Sequence, residues 1–239
     1  MNLFTMFDPL YWLLITPAML LALWAQIRVK SAFARYSRME NSRHLSGAEA
    51  AALMLEREGL GDVKIEMTQG WLSDHYDPRD KTLRLSPDVY NGRTVAAVGV
   101  ACHEAGHALQ HAYGYAPLHL RTILVPVAGF GSSFAWILII GGIIFQALPF
   151  GLMLAKIGVL LFGAAVLFQV VTLPVEFNAS SRAKDALVRN GVLAYSEEIE
   201  GANAVLNAAA LTYVAATIAA LAQLLYWMIR LGIIGGRRR

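Results

Sequence analysis

The segment CHEAGHALQH, residues 102–111, contains side chains whose types and spacing could bind and use a metal ion. His103, Glu104 and His107 form the pattern H-E-x-x-H. On an α-helix, residues four apart point within about 40° of each other, one turn along the axis, so both imidazoles can reach one Zn²⁺. Glu104 is rotated away from this pair, where it can reach a water at the metal and act as a general base. The motif predicts a zinc site with His103 and His107 as ligands and Glu104 as the catalytic residue.

A third protein ligand is expected, because a catalytic zinc usually keeps three protein ligands and one open position. His111 follows His103 by eight residues, which is about 12 Å along a helix and too far to share one ion. Glu176 is the first acidic residue after a long apolar block, and Pro174 could start a helix just before it. We therefore predict Glu176 as the third ligand. The alternative is a carboxylate that only stabilises a helix N-terminus.

The elements that hold these residues belong to an unusually apolar chain. Its 239 residues are 56% hydrophobic and 15% charged, against roughly 45–50% and about 25% in ordinary soluble domains. Residues 9–27 and 201–229 contain no charge, and 122–175 contains only Lys156. A membrane-spanning helix needs about 20 apolar residues. Instead of a soluble bundle of buried helices, we predict four transmembrane helices, at about 9–27, 122–147, 152–173 and 206–229.

The distribution of basic residues predicts an orientation, because Lys and Arg near span ends favour the cytoplasmic side. The N-terminal tail has none, whereas the first span is followed by Arg28, Lys30, Arg35 and Arg38. This predicts a multi-pass protein of the cell (inner) membrane whose polar segments, 28–121 and 174–205, both face the cytoplasm. Four spans would leave Arg230 and the tail Arg237–Arg239 outside, against the rule. The alternatives are a last helix that does not span, or the reverse orientation.

The polar segments predict a small α/β portion on the four membrane helices, all within a single unit of residues 1–239. Ser46-Gly47-Ala48-Glu49 is a capping box, and Gly59 follows as a helix stop. Alternating residues predict a strand and then a hairpin. The predicted elements are a basic surface helix at 28–45, a helix at 47–58, a strand at 63–67, a hairpin at 70–86 and a motif helix from Thr94 to about 112.

Two further features limit the function. The net charge of +3 is modest, and basic residues beside the spans suit a membrane surface and give no support to nucleic-acid binding. Cys102 is the only cysteine, so no intrachain disulfide can form. Neighbours on a helix point about 100° apart. We therefore interpret Cys102 as a small packing residue beside His103 and not as a ligand.

Several long strings of this chain resemble the YugP-type membrane zinc metallopeptidases, and together they cover most of its length. The strings are DPLYWLLITPAMLLALWAQIRVKSAFARYS, SDHYDPRDKTLRLSPDVY, ACHEAGHALQHAYGY and LPVEFNASSRA. The resemblance implies a membrane-embedded, zinc-dependent protease. More distantly, the chain is similar to HtpX-type proteases, whose third ligand is a Glu in an E-x-x-A-D segment.

Carried over by this resemblance, His103, His107 and Glu176 would be zinc ligands and Glu104 the catalytic base. The segment from Glu176 reads E-F-N-A-S, so Ser180 stands where the distant relatives have Asp. No role is transferred to Ser180.

The predicted function is hydrolysis of a protein or peptide substrate, which could lie along an edge strand of the hairpin. The candidate donors to the oxyanion are His75, Tyr76, Arg182 and His111. A site-2-type intramembrane protease would need the motif inside a span and an Asp from a second span. The other alternative is a zinc-stabilised membrane scaffold without enzymatic activity.

Overall fold

A computed structural model describes residues 8–70 and 73–235. Two predicted features lie partly outside them: residues 71–72 of the hairpin segment and the tail Arg237–Arg239. The protein is mainly α-helical with one small sheet, as predicted. Its helices are α1 (Pro9–Tyr36), α2 (Gly47–Arg57), α3 (Pro87–Tyr90), α4 (Val95–Ala112), α5 (Ala116–Ile144), α6 (Gly151–Arg189) and α7 (Ser196–Arg230). Its strands are β1 (Lys64–Met67), β2 (His75–Asp77) and β3 (Thr82–Leu85).

Four of the helices, α1, α5, α6 and α7, are long and apolar enough to cross a membrane, which confirms the predicted number. Each extends beyond the apolar stretch that predicted it; α7, for example, begins at Ser196 and not near 206. Hydropathy marks only the part of a helix that suits hydrocarbon, whereas backbone hydrogen bonding continues into polar sequence.

Two predictions about where helices begin and end were wrong. Residues 28–45 do not form a separate surface helix, because α1 continues without a break to Tyr36. Pro174 does not start a helix either; it lies inside α6. A proline in a helix removes one intrahelical hydrogen bond and favours a kink, but membrane helices tolerate it. Glu176 is therefore held within a continuous 39-residue helix and not in a first turn.

The chain forms two compact units, and the first comprises the described residues of 1–24, 120–173 and 213–239. Within it, the Tyr226 hydroxyl donates to the Asp8 carboxylate at 3.2 Å, and Arg230 Nε lies 3.3 Å from the same carboxylate. These contacts place the end of α7 beside the start of α1, as expected when four helices alternate in direction. The buried core of this unit is Ile139, Ala155, Val159, Tyr226, Trp227 and Leu231.

The second unit comprises residues 25–119 and 174–212. Its helix α2 has the predicted capping box: Ser46 accepts from the Glu49 backbone, and Glu49 accepts from the Ser46 backbone. Helix α2 packs on α4 through small and apolar side chains. The buried core includes Ala50, Met54, Leu83, Leu85, Val98, Ala101, Ala105, Ala183 and Leu187.

The sheet has the order β1-β3-β2. Strands β2 and β3 pair antiparallel, with Tyr76 opposite Leu83, which confirms the predicted hairpin. Strand β1 pairs parallel with β3, with Ile65 opposite Leu83; this pairing was not predicted. β3 is therefore the central strand, whereas β2 lies at an edge and contacts α4.

Candidate metal centre

The H-E-x-x-H motif lies on α4, which begins where the sequence predicts. The Thr94 hydroxyl accepts a hydrogen bond from the Ala97 backbone at 3.3 Å and caps the helix. The helix ends at Ala112, and Gly114 follows with φ of 63°, a left-handed conformation that suits glycine after a helix. Most of its residues are buried and small. The motif is therefore presented by a rigid, closely packed element.

The three predicted ligands meet in the second unit. Nε2 of His103 lies 3.2 Å from Oε2 of Glu176, and Nε2 of His107 lies 3.7 Å from the same oxygen. One ligand atom from each of the three side chains lies within 4.8 Å of the others. Tetrahedral zinc with bonds of about 2.0–2.1 Å separates its ligand atoms by roughly 3.3 Å. The two nitrogens and the carboxylate oxygen therefore fit a zinc ion in spacing and in chemistry.

Both histidines are held through the ring nitrogen that faces away from Glu176. Ser180 Oγ lies 3.1 Å from His103 Nδ1, and Gln110 Oε1 lies 2.9 Å from His107 Nδ1. A hydrogen on Nδ1 leaves Nε2, the nitrogen that faces Glu176, as the atom that can bind a metal ion. This is the arrangement that a metal-binding imidazole needs.

A glycine allows α6 to approach the motif helix. A methyl group added at Gly106 would lie 2.6 Å from the backbone oxygen of Ala179, so the two helices are in backbone contact at this point. Ala179 follows Glu176 by three residues and therefore lies less than one turn further along α6. Because Gly106 and Ala179 are small, the Glu176 carboxylate reaches the two imidazoles.

The residues of the site differ in burial. Glu176 is 2% exposed and His107 is 7% exposed, whereas His103 and Glu104 are half-buried. Burial opposes the charge on Glu176, but the contacts with His103 and His107 outweigh burial and hold the pKa of this carboxyl below its ordinary value. Glu176 is therefore ionised, as a metal-binding carboxylate must be, and Glu104 follows His103 directly on α4.

The remaining predicted residues lie around the site or apart from it. The Tyr76 hydroxyl is 2.9 Å from Nδ1 of His111, so strand β2 is tied to α4 one turn beyond His107. His111 is not part of the three-residue cluster. His75 is exposed and lies 2.7 Å from the Ser73 carbonyl through Nδ1. Arg182 stacks over the Tyr113 ring and hydrogen-bonds to Asn178.

Cys102 is fully buried, and burial raises the pKa of its thiol to about 12. It packs in the core of the second unit, in agreement with the prediction that Cys102 is a packing residue. A buried thiol with a raised pKa is a poor metal ligand, because metals bind the thiolate.

Sequence reasoning missed three polar residues that hold the site: Gln110, Asn178 and Ser180. Gln110 follows His107, the ligand that it contacts, by three residues, so helical spacing places both on one face of α4. Ser180 follows Glu176 by four residues on α6 and contacts His103 from the same face. For Ser180, the Asp of distant relatives at the same position was a usable signal. No local signal pointed to Asn178, because its role depends on contacts between helices.

The fold and the site together define a membrane protein with a candidate metal centre on a buried helix. Residues 11–232 match the family described as "Putative neutral zinc metallopeptidase", and the chain belongs to this family. It is 50% identical over 205 residues to the "Putative membrane protease YugP" of Bacillus subtilis (strain 168), covering 86% of this chain and 89% of that protein. No solved structure matches this chain significantly.

Proposed function

We propose that this protein is a zinc-dependent membrane endopeptidase in which His103, His107 and Glu176 bind the metal. One observation carries the proposal: the three ligand atoms converge within 4.8 Å, although they come from two helices more than 60 residues apart in sequence. Membership of a zinc metallopeptidase family supports the choice of metal and of reaction. When bound, zinc supplies a Lewis acid that polarises the scissile carbonyl and lowers the pKa of water.

Glu104 is the proposed general base. It follows His103 directly on α4, is rotated from the two histidines and is half-buried. Its carboxylate would take the proton of the attacking water and return it to the leaving amine. Such proton transfer contributes typically about 10²–10⁴-fold to the rate. Peptide hydrolysis therefore needs no other titratable group to complete the proton path.

The substrate would be an extended peptide that pairs with the outer edge of β2. This strand is at the sheet edge and is held to the motif helix by the hydrogen bond between Tyr76 and His111. An edge strand offers unpaired backbone donors and acceptors to a peptide. Backbone pairing would place the peptide near the cluster without requiring one particular side-chain sequence.

The site is proposed to face the cytoplasm at the cell membrane. The support is the basic segment after the first span, with Arg28, Lys30 and Arg35 all on α1. Arg230, which counted against this orientation, is paired with Asp8, so its charge is partly neutralised.

The deciding experiment measures cleavage of quenched fluorescent casein together with zinc content, using detergent-purified protein. Glu104→Gln keeps the shape of the side chain but removes the base, so we expect cleavage to fall at least a hundredfold with zinc retained. The exposed Glu197→Gln is the matched control. Undiminished cleavage by Glu104→Gln would contradict the proposed role. A wild type that binds zinc and cleaves nothing would favour the scaffold alternative.

A further inference from the structure

The side chain of Gln110 is fully buried on α4, one turn after His107. Its Oε1 lies 2.9 Å from His107 Nδ1. Its Nε2 donates to the Val175 carbonyl at 2.7 Å and to Asn178 Oδ1 at 3.0 Å. Both amide hydrogens and the oxygen are therefore used. A buried amide whose donors and acceptor are all hydrogen-bonded is held in one orientation.

The direction of this amide follows from its neighbours. The Val175 carbonyl can only accept, so the nitrogen of Gln110 must face it. Arg182 can only donate, and its Nε donates to Asn178 Oδ1 at 2.8 Å, so Asn178 also presents an oxygen to Gln110. Oε1 of Gln110 is therefore left to accept from His107. His107 must therefore carry a hydrogen on Nδ1, which leaves Nε2, the nitrogen that faces Glu176, as the atom that would bind the metal.

The same amide joins the two halves of the site. Val175 and Asn178 flank Glu176 on α6, whereas Gln110 and His107 lie on α4. A metal site whose ligands come from two helices depends on their separation, because misplaced ligands lose affinity. Gln110 contacts one ligand directly and the backbone next to another, so it acts on both the orientation of His107 and the distance to Glu176.

We propose that Gln110 is a positioning residue of the metal site: it sets the tautomer of His107 and joins this histidine to the turn of α6 that carries Glu176. The inference rests on the proposed metal site but concerns a residue that binds no metal itself. Loss of such supporting contacts typically lowers metal affinity by about 10–100-fold.

The test compares zinc affinity, measured by competition with a chromophoric chelator, and the visible absorption spectrum of the cobalt(II)-substituted protein. Gln110→Leu removes the hydrogen bonds to His107, Val175 and Asn178, and we expect about 10–100-fold weaker zinc binding and a changed cobalt spectrum. Gln110→Glu keeps an acceptor for His107 but cannot donate to Val175 or Asn178. We expect it to bind zinc more tightly than Gln110→Leu and less tightly than wild type.

Asn41→Ala is the matched control for a merely structural effect. Asn41 is equally buried in the same unit and donates to the Leu45 and Arg93 carbonyls, but it contacts no ligand. We expect Asn41→Ala to lower the unfolding temperature and to leave zinc affinity and the cobalt spectrum unchanged.

Two results would overturn the inference while leaving the proposed function intact. One is wild-type zinc affinity and cobalt spectrum in folded Gln110→Leu and Gln110→Glu. The other is an equal loss of affinity in Asn41→Ala. Failure of the proposed function would give a different result, because the wild-type protein itself would then bind no zinc.

Discussion

Gly106 on the motif helix and Ala179 on α6 are in close backbone contact: a methyl group on Gly106 would lie 2.6 Å from the Ala179 carbonyl oxygen. Real Cβ atoms do not come this close to backbone oxygens, so a larger residue must push the helices apart. The contact lies between the two motif histidines in sequence and next to the turn that carries Glu176. The distance between the histidines on α4 and Glu176 on α6 therefore depends on the absence of a Cβ atom at Gly106.

Gly106→Ala is expected to destabilise the protein by about 1–3 kcal/mol, the usual cost of overpacking, and to weaken zinc binding. Thermal unfolding in detergent and a zinc-competition titration would measure the two effects. Gly99→Ala is the matched control on the same helix, because its methyl group would meet Ala202 at an ordinary 3.6 Å. The control should be neutral or slightly stabilising, since alanine favours a helix over glycine by about 1 kcal/mol. Equal behaviour of the two variants would contradict the argument.

Glu176→Ala is expected to remove most of the zinc, because it takes away the only carboxylate oxygen in the three-residue cluster. Metal content per chain of the purified protein measures this directly, with about one zinc expected in wild type. The exposed Glu197→Ala should keep its zinc. Full zinc in Glu176→Ala would mean that the third ligand lies elsewhere and would refute the predicted ligand set.

Ser180→Ala is expected to lower zinc affinity about tenfold, since His103 Nδ1 loses the partner that orients its ring. Ser180→Asp should bind zinc more tightly than Ser180→Ala, because a carboxylate accepts the same hydrogen bond more strongly. Chelator competition compares the two. Ser181→Ala, an exposed neighbour, is the control, and an affinity loss no greater in Ser180→Ala than in this control would refute the role of Ser180.

Cys102 is expected to resist a maleimide in the folded protein and to react after denaturation, because it is fully buried and its pKa is raised to about 12. Mass spectrometry before and after unfolding counts the label. Ala52→Cys adds an exposed thiol on α2 and should be labelled at one site in the native state. Stoichiometric labelling of native wild type would contradict the described core.

The proposed orientation predicts which added cysteines react in intact cells with a membrane-impermeant maleimide. Pro149→Cys, in the loop between α5 and α6, should be labelled from outside. Ala52→Cys should be labelled only after the cells are permeabilised. The wild-type chain, with only Cys102, is the background control. The opposite pattern would establish the reverse orientation without affecting the metal site.

Local features of the sequence were sufficient to predict most elements. The apolar stretches predicted four long helices because hydropathy over about 20 residues is a local property. The capping residues Ser46 and Thr94 marked helix starts, since a cap is a contact within one turn. The spacing of His103 and His107 predicted paired imidazoles because helix geometry fixes their directions. These predictions needed no knowledge of any distant contact.

Other features were decided by contacts between residues far apart in the chain. The parallel pairing of β1 with β3 depends on the choice of partner strand, which no local pattern specifies. The continuation of α6 through Pro174 overrode a local helix-start signal, because a long membrane helix tolerates one lost hydrogen bond.

Sequence alone thus determined the types of the candidate ligands, their spacing on the motif helix and the apolar helices of the chain, because each depends on residues within a few turns. Tertiary structure decided that Glu176 reaches His103 and His107, and that Gln110 and Ser180 hold the two rings. The physical reason is that these contacts join helices far apart in sequence, and their distances are set by close packing between α4 and α6.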